Sequence, residues 1–199
     1  AAAYRAHDLV TADGNPIVWV SRLSGRPVAL LPGSDLVLPL CRLAAEAGVA
    51  VALFGATEAS LAAAGRRLEA DVPGLRVVHR AAPRMGFGPA GPEADDALDA
   101  IAASGARFVL IALGAPRQER FALLGRSRHP ALCFASIGAG LDFLSGAQRR
   151  APAWVRALAL EWLWRMAGNP RRPARRYALS ARVLPGLIRE ALRQRRARS

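Results

Sequence analysis

The residues best suited to chemistry in this chain sit in short turns. Asp13-Gly14-Asn15-Pro16 places a carboxylate where an extended stretch gives way to a helix, with Pro16 suited to the helix's first turn. A carboxylate in that position can take a proton from a bound hydroxyl; the plainer reading is a turn or cap residue. Further along, Gly114-Ala115-Pro116-Arg117-Gln118-Glu119 puts a planar guanidinium, an amide and a carboxylate in the opening turn of a helix. Glu119 has a simple structural use there, since an acid near a helix N-terminus is favoured by about 0.3–1 kcal/mol. Gln118 has less structural reason to be present, and its amide could read a sugar or a base.

Three apolar runs end in glycine-containing turns that lead into helices: Phe54-Gly55-Ala56-Thr57, Leu113-Gly114-Ala115-Pro116 and Ile137-Gly138-Ala139-Gly140. In open α/β sheets the ligand crevice lies beyond the carboxyl ends of the strands, where helix N-termini offer N–H groups to phosphate. Each turn alone is a weak signal; the three together point toward a nucleotide or phosphate ligand. Gly138 and Gly140 lack the third glycine of a dinucleotide fingerprint, Phe143 standing in its place, and without any lysine there is no Walker lysine. An NAD-dependent oxidoreductase and a P-loop ATPase are both disfavoured. His7, His79 and His129 show no metal-ligand spacing, and no Asp-x-Asp triplet is present to hold a metal-bound diphosphate.

The elements that must position these residues alternate in type. Val49 to Phe54, Leu75 to Val78, Phe108 to Ala112 and Leu132 to Ile137 read as strands. Ser34 to Ala47, Thr57 to Asp71, Glu93 to Ser104 and Pro116 to Leu124 read as helices, with Gly48 and Gly105 as helix stops. Asp8 to Thr11 is a further strand candidate. Such βα alternation specifies a parallel sheet flanked by helices. Ala81 to Pro92, rich in Gly and Pro, reads as a loop of a length that often covers a site and equally often is a plain connection. After Ser145 the chain reads as helical, broken at Pro152, Pro170, Pro173 and Pro185. In the helix opening at Pro152, Val155, Leu158, Ala159, Trp162, Leu163 and Met166 share one face that should pack on the body.

Charge divides the chain as the elements do. Its 199 residues carry a formal net charge of +13, every basic residue being Arg. Residues 1–148 hold 14 Arg against 13 acids, whereas 149–199 hold 14 Arg against only Glu161 and Glu190. A near-neutral α/β body (1–148) thus precedes an Arg-rich helical appendage (149–199), which points at something anionic. Arg182, Arg189, Arg193 and Arg196 fall in one narrow sector of a helical wheel, as in helices that lie on an acidic bilayer. The two cysteines, Cys41 and Cys133, suggest neither a disulfide framework nor a zinc site, and the longest charge-free run, His129 to Leu141, is too short to span a membrane.

Taken in order, the motifs resemble one family, the WecG/TagA/CpsF glycosyltransferases of bacterial surface-polymer synthesis. The stretches that carry the resemblance are Ala12 to Trp19, Gly33-Ser34-Asp35-Leu36, Leu53-Phe54-Gly55, Ala112 to Glu119 and Gly138 to Gly146. It continues through Arg150-Ala151-Pro152-Ala153-Trp154, Leu160 to Arg165 and Pro170 to Tyr177. The resemblance implies a Rossmann-like body and a C-terminal appendage that closes over the site and docks on the membrane. It also implies an inverting transfer of a hexose from a UDP-sugar to a polyprenyl-diphosphate-linked sugar, at the cytoplasmic face of the inner membrane.

In family terms Asp13 matches the catalytic base and Gln118 a polar residue of the sugar pocket. Gly55, Gly114, Arg117, Glu119, Gly138, Gly140 and Asp142 complete the expected substrate-binding set. The leaving diphosphate needs positive charge, and a guanidinium can bind phosphate oxygens bidentately, so Arg150, Arg165, Arg172 and Arg175 are the expected diphosphate ligands. No metal and no cofactor are expected. The implied partners are the UDP-sugar, the lipid-linked acceptor and an anionic inner-membrane surface, with no nucleic acid and a homo-oligomer allowed. Family members carry an upstream strand and helix with a Thr-x-Asn segment near the pocket; this sequence begins after that point, so part of the site is expected to lie outside it. Asn15 stands where other members often have an apolar residue or Gly, a difference that bears on substrate choice.

The rival reading is an Arg-tailed nucleic-acid-binding module. It accounts for the basic tail but not for the neutral body with its three glycine turns, and few aromatics interleave with the terminal arginines.

Overall fold

The computed structural model describes residues 2–152, 154, 155, 158–168 and 171–197, with side chains for all of these except 2, 162, 165, 167, 168 and 171–181. Along the chain run α1 (Ala2–Arg5), α2 (Asn15–Leu23), α3 (Gly33–Glu46), β1 (Val51–Gly55), α4 (Glu58–Asp71), β2 (Val77–Ala81) and α5 (Pro92–Ala103). They are followed by β3 (Phe108–Ala112), α6 (Arg117–Arg128), β4 (Cys133–Ser136), α7 (Gly140–Leu144), α8 (Glu161–Gly168) and α9 (Arg171–Arg196). The chain forms two compact units, one of Ala1–Val10 with Pro32–Arg149, the other of Thr11–Leu31 with Arg150–Ser199. The segment bearing Asp13 therefore belongs to the same unit as the basic C-terminus.

The first unit is an α/β layer structure around a four-stranded parallel sheet of order β2-β1-β3-β4. Because successive strand side chains point to opposite faces, each central strand feeds two cores. Val51, Leu53 and Leu110 join Val37 and Cys41 of α3, Leu61 and Leu68 of α4 and Leu141 of α7. Ala52, Phe54, Val109 and Ile111 face Leu98 and Ile101 of α5 and Phe121 of α6. β1 is buried at every position, whereas β2, at the sheet edge, alternates half-buried and exposed. Thr57 caps α4, its hydroxyl accepting from Ser60 N–H at 3.2 Å. The stops expected at Gly48 and Gly105 are where α3 and α5 end.

The segment between β2 and α5 is anchored. Phe87 is buried among aromatic rings, 5.5 Å from Phe54 and 5.8 Å from Phe121, both edge-on, while Phe54 and Phe121 stack at 4.5 Å. Met85, the other large apolar residue of this loop, is fully exposed.

In the second unit α2 and α8 pack on α9. Val18 of α2 is buried, and among the described side chains of α9 Leu184, Ile188 and Ala191, at helical spacing, are the more buried. Arg182, Arg189, Arg193 and Arg196 are exposed. All four tryptophans, Trp19, Trp154, Trp162 and Trp164, belong to this unit.

Three local expectations are corrected. Asp8 to Thr11 is not a strand; Asp8 instead accepts from Arg126 of α6 at 2.8 Å, and the nearest strand-like feature is an isolated parallel bridge between Ala12 and Leu30. The helix expected from Pro152 does not run on unbroken, because Ala159 takes φ +60° and α8 starts afresh at Glu161. Leu158 and Leu163 of its expected packing face are exposed as a result. Conversely α9 runs through both prolines. Pro173 falls in the first turn, where a missing N–H costs nothing, and Pro185 removes a single bond to the Ala181 carbonyl within flanks rich in helix-forming Ala, Leu and Arg. Pro170 lies outside the described residues.

Candidate functional site

The chain leaves β1 toward β2 on one side, then returns past β1 to place β3 on the other. The strand order therefore reverses between β1 and β3, the switch point beyond whose carboxyl ends open α/β sheets bind ligands. Gly55 ends β1 there with φ +102°, and a Cβ on it would lie 2.6 Å from both the carbonyl carbon and oxygen of Ala112, the end of β3. Only glycine lets the two strand ends meet, and Ala56 N–H then donates to the Ala112 carbonyl at 3.1 Å.

The turn after β3 is fixed from the first turn of α6. Arg117 Nη2 donates back to the Leu113 carbonyl at 3.1 Å, and the Gly114 N–H donates to Gln118 Oε1 at 3.2 Å. Gln118 Nε2 in turn donates to Glu119 Oε1 at 3.0 Å, which also accepts from the Tyr4 hydroxyl at 3.2 Å. Gln118 is 7% exposed and Glu119 4%. Glu119 Oε2 is buried without a hydrogen-bond partner among the described residues, an arrangement that typically costs about 1–3 kcal/mol. The peptide bond between Ala115 and Pro116 is cis.

One strand over, β4 ends at Ser136, and Gly138 follows with φ +56°. Helices α3 and α7 approach this end closely. A Cβ on Gly33 would lie 3.0 Å from the Ser136 carbonyl, and one on Gly140 would lie 2.8 Å from Val37 Cγ2 and 3.3 Å from Ser34 Cα. Ser136 Oγ is buried beside these turns without a partner among the described residues. Gly33-Ser34 thus joins the carboxyl edge of the sheet, although it opens the helix that precedes β1.

The expected site residues are divided between the two units. Gly55, Gly114, Arg117, Gln118 and Glu119 gather at the switch point, with Gly138 and Gly140 at the neighbouring strand end. Asp142 is occupied locally, its Oδ2 accepting from Gln148 Nε2 at 3.0 Å. Asp13, Arg150, Arg165, Arg172 and Arg175 lie in the second unit. Asp13 is exposed and stands just before Gly14, the residue that caps α2 without any side-chain hydrogen bond. Its carboxylate has no hydrogen bond or ion pair among the described residues, so the cap role open to it in sequence is not the one it takes. Arg150 is half-buried; the side chains of Arg165, Arg172 and Arg175 lie outside the described residues.

The sequence reading did not single out Tyr4, Ser136 or Gly33-Ser34 as site residues. Only Gly33-Ser34 carried a signal, as part of the family resemblance. Tyr4 is an isolated aromatic in a four-residue helix, and nothing local links it to a position 115 residues away. Among the described residues no cluster of three or more His, Cys, Asp or Glu is arranged to hold a metal, and no helix is long and apolar enough to cross a membrane.

The model of the glycosyl transferase WecG/TagA/CpsF family matches residues 1–199. The chain belongs to this family. It is also similar to an N-acetylglucosaminyldiphosphoundecaprenol N-acetyl-beta-D-mannosaminyltransferase of Bacillus spizizenii strain W23, with 30% identity over 172 residues. That alignment takes in 86% of this chain and 65% of the relative, so this WecG/TagA/CpsF member spans less than two thirds of the relative's length.

Proposed function

We propose that this WecG/TagA/CpsF member is an inverting glycosyltransferase that moves a hexose, of the N-acetylmannosamine type or related, from a UDP-sugar to a polyprenyl-diphosphate-linked sugar in bacterial surface-polymer synthesis. The match of the family across all 199 residues carries the reading. The named activity of the Bacillus relative and a parallel sheet with its glycine-lined switch point support it.

The reaction is a single displacement. Asp13 accepts the proton of the acceptor hydroxyl as that oxygen attacks the anomeric carbon; the bond from that carbon to the UDP oxygen breaks, and UDP leaves with the electron pair. An exposed carboxylate with no competing partner among the described residues suits the base, and such help contributes about 10²- to 10⁴-fold. The turns at Gly55, Gly114, Gly138 and Gly140, with Arg117, Gln118 and Glu119, form the donor side. Arg150, Arg165, Arg172 and Arg175 balance charge on the departing diphosphate. The exposed arginines of α9 dock the protein on the anionic cytoplasmic face of the inner membrane, where the acceptor resides.

A panel of UDP-sugars incubated with a synthetic lipid-diphosphate acceptor tests the reading. The expected result is transfer from one of them, unaffected by chelation of divalent ions. Failure with every donor overturns it, and full dependence on a divalent ion overturns the arginine role.

A further inference from the structure

Stability alone does not account for Glu119. A buried carboxylate with one oxygen unpaired among the described residues is a poor core residue. What the carboxylate does accomplish is to fix polarity. The Gly114 N–H can only donate, so the Gln118 amide must turn its oxygen toward it. The Glu119 carboxylate can only accept, so the same amide must turn its NH₂ toward Glu119. Both constraints agree on one orientation, which leaves the second Nε2 hydrogen of Gln118 without a partner among the described residues, at the switch point. Tyr4 completes the chain from the other side by donating to Glu119 Oε1. Its helix α1 packs on α6, and Arg126 near the far end of α6 holds the Ala6 carbonyl at 3.3 Å and the Asp8 carboxylate at 2.8 Å.

We infer that Glu119 and Tyr4 are positioning residues: they lock the Gln118 amide, and through it the turn after β3, in the one orientation that presents an N–H donor to the nucleotide-sugar. This rests on the sugar-transfer reading above and adds a residue from the N-terminal helix to its machinery. It assigns Glu119 an indirect part, acting through Gln118 rather than on substrate.

The test compares Glu119→Leu, Glu119→Gln and Tyr4→Phe in the full-length protein by donor KM, kcat, thermal midpoint and the side-chain amide resonances of Gln118. Glu119→Leu is expected to lower kcat/KM by about tenfold to a hundredfold, the worth of one misplaced charged hydrogen bond, with a modest fall in the midpoint because Gln118 Nε2 loses its acceptor. Glu119→Gln, whose carbonyl can still accept from Gln118, should recover most of that loss. Tyr4 is nearly half exposed, so Tyr4→Phe should fold normally and speed hydrogen exchange of the Gln118 NH₂ group. If the wild type transfers sugar and both Glu119→Leu and Tyr4→Phe stay within about twofold of it, the positioning role is overturned while the function stands. If the wild type transfers from no donor, the function itself is overturned.

Discussion

Replacing Gly55 with alanine tests whether the switch point depends on two strand ends meeting without a side chain between them. The new Cβ would sit 2.6 Å from the Ala112 carbonyl carbon and oxygen, both backbone atoms at the end of a buried central strand that cannot swing aside. Holding an alanine at φ +102° costs about 1–3 kcal/mol. Overpacking against a fixed neighbour adds about 1–3 kcal/mol. A loss near 4 kcal/mol corresponds to roughly 8–16 °C in the midpoint of a chain this size. Gly74→Ala is the matched control, since Gly74 lies in the same unit at φ +82° with nothing within 4 Å of its Cβ position, and it should show the backbone cost only. Urea unfolding followed by far-ultraviolet circular dichroism measures both. Equal destabilisation by the two variants would refute the close approach of β1 and β3 as the reason for glycine.

Asp13→Asn should lower turnover at least about a hundredfold with an unchanged thermal midpoint, because the carboxylate is exposed and has no partner among the described residues; near-normal turnover removes it as the base. Cys41 is buried in the α3 side of the core, which pushes its thiol up to about 11, whereas Cys133 is exposed, so a thiol reagent near neutral pH should modify one cysteine in the native protein and both after denaturation. Arg128, and after it His129, hold the Asp99 carboxyl well below the ordinary carboxylate range through hydrogen bonds of 2.6 to 2.7 Å. A lowered folded-state value stabilises at all pH above the unfolded value of about 3.9 and is lost as pH falls below it. The stability deficit of Asp99→Asn should therefore be present at about pH 5 and vanish in stronger acid; since the cluster is exposed, added salt should also shrink it.

What the sequence disclosed follows burial. β3 matches its reading residue for residue, and β1 is displaced by only a residue or two, because both are continuous apolar runs in the middle of the sheet. β2 was misplaced: Leu75, read as its start, closes the turn after α4, and the strand instead runs on through His79 and Arg80, whose polarity reflects an edge position. At α9 a general rule about proline gave way to the propensity of its flanks. For the site, the glycine turns were visible because positive φ and close approach leave a mark on residue type. The chain from Tyr4 to Gly114 was not, since hydrogen bonds across 115 residues depend on how α1 lies on α6 and leave no periodicity to find.

The placement of tryptophan has an experimental use. With every indole in the unit of Asp13 and α9, and none in the α/β layers, ultraviolet emission excited in the indole band sees only that half of the protein. Titrating UDP or anionic vesicles while watching this signal distinguishes a ligand that perturbs the basic helices from one seated silently on the sheet, with no label attached and no residue changed.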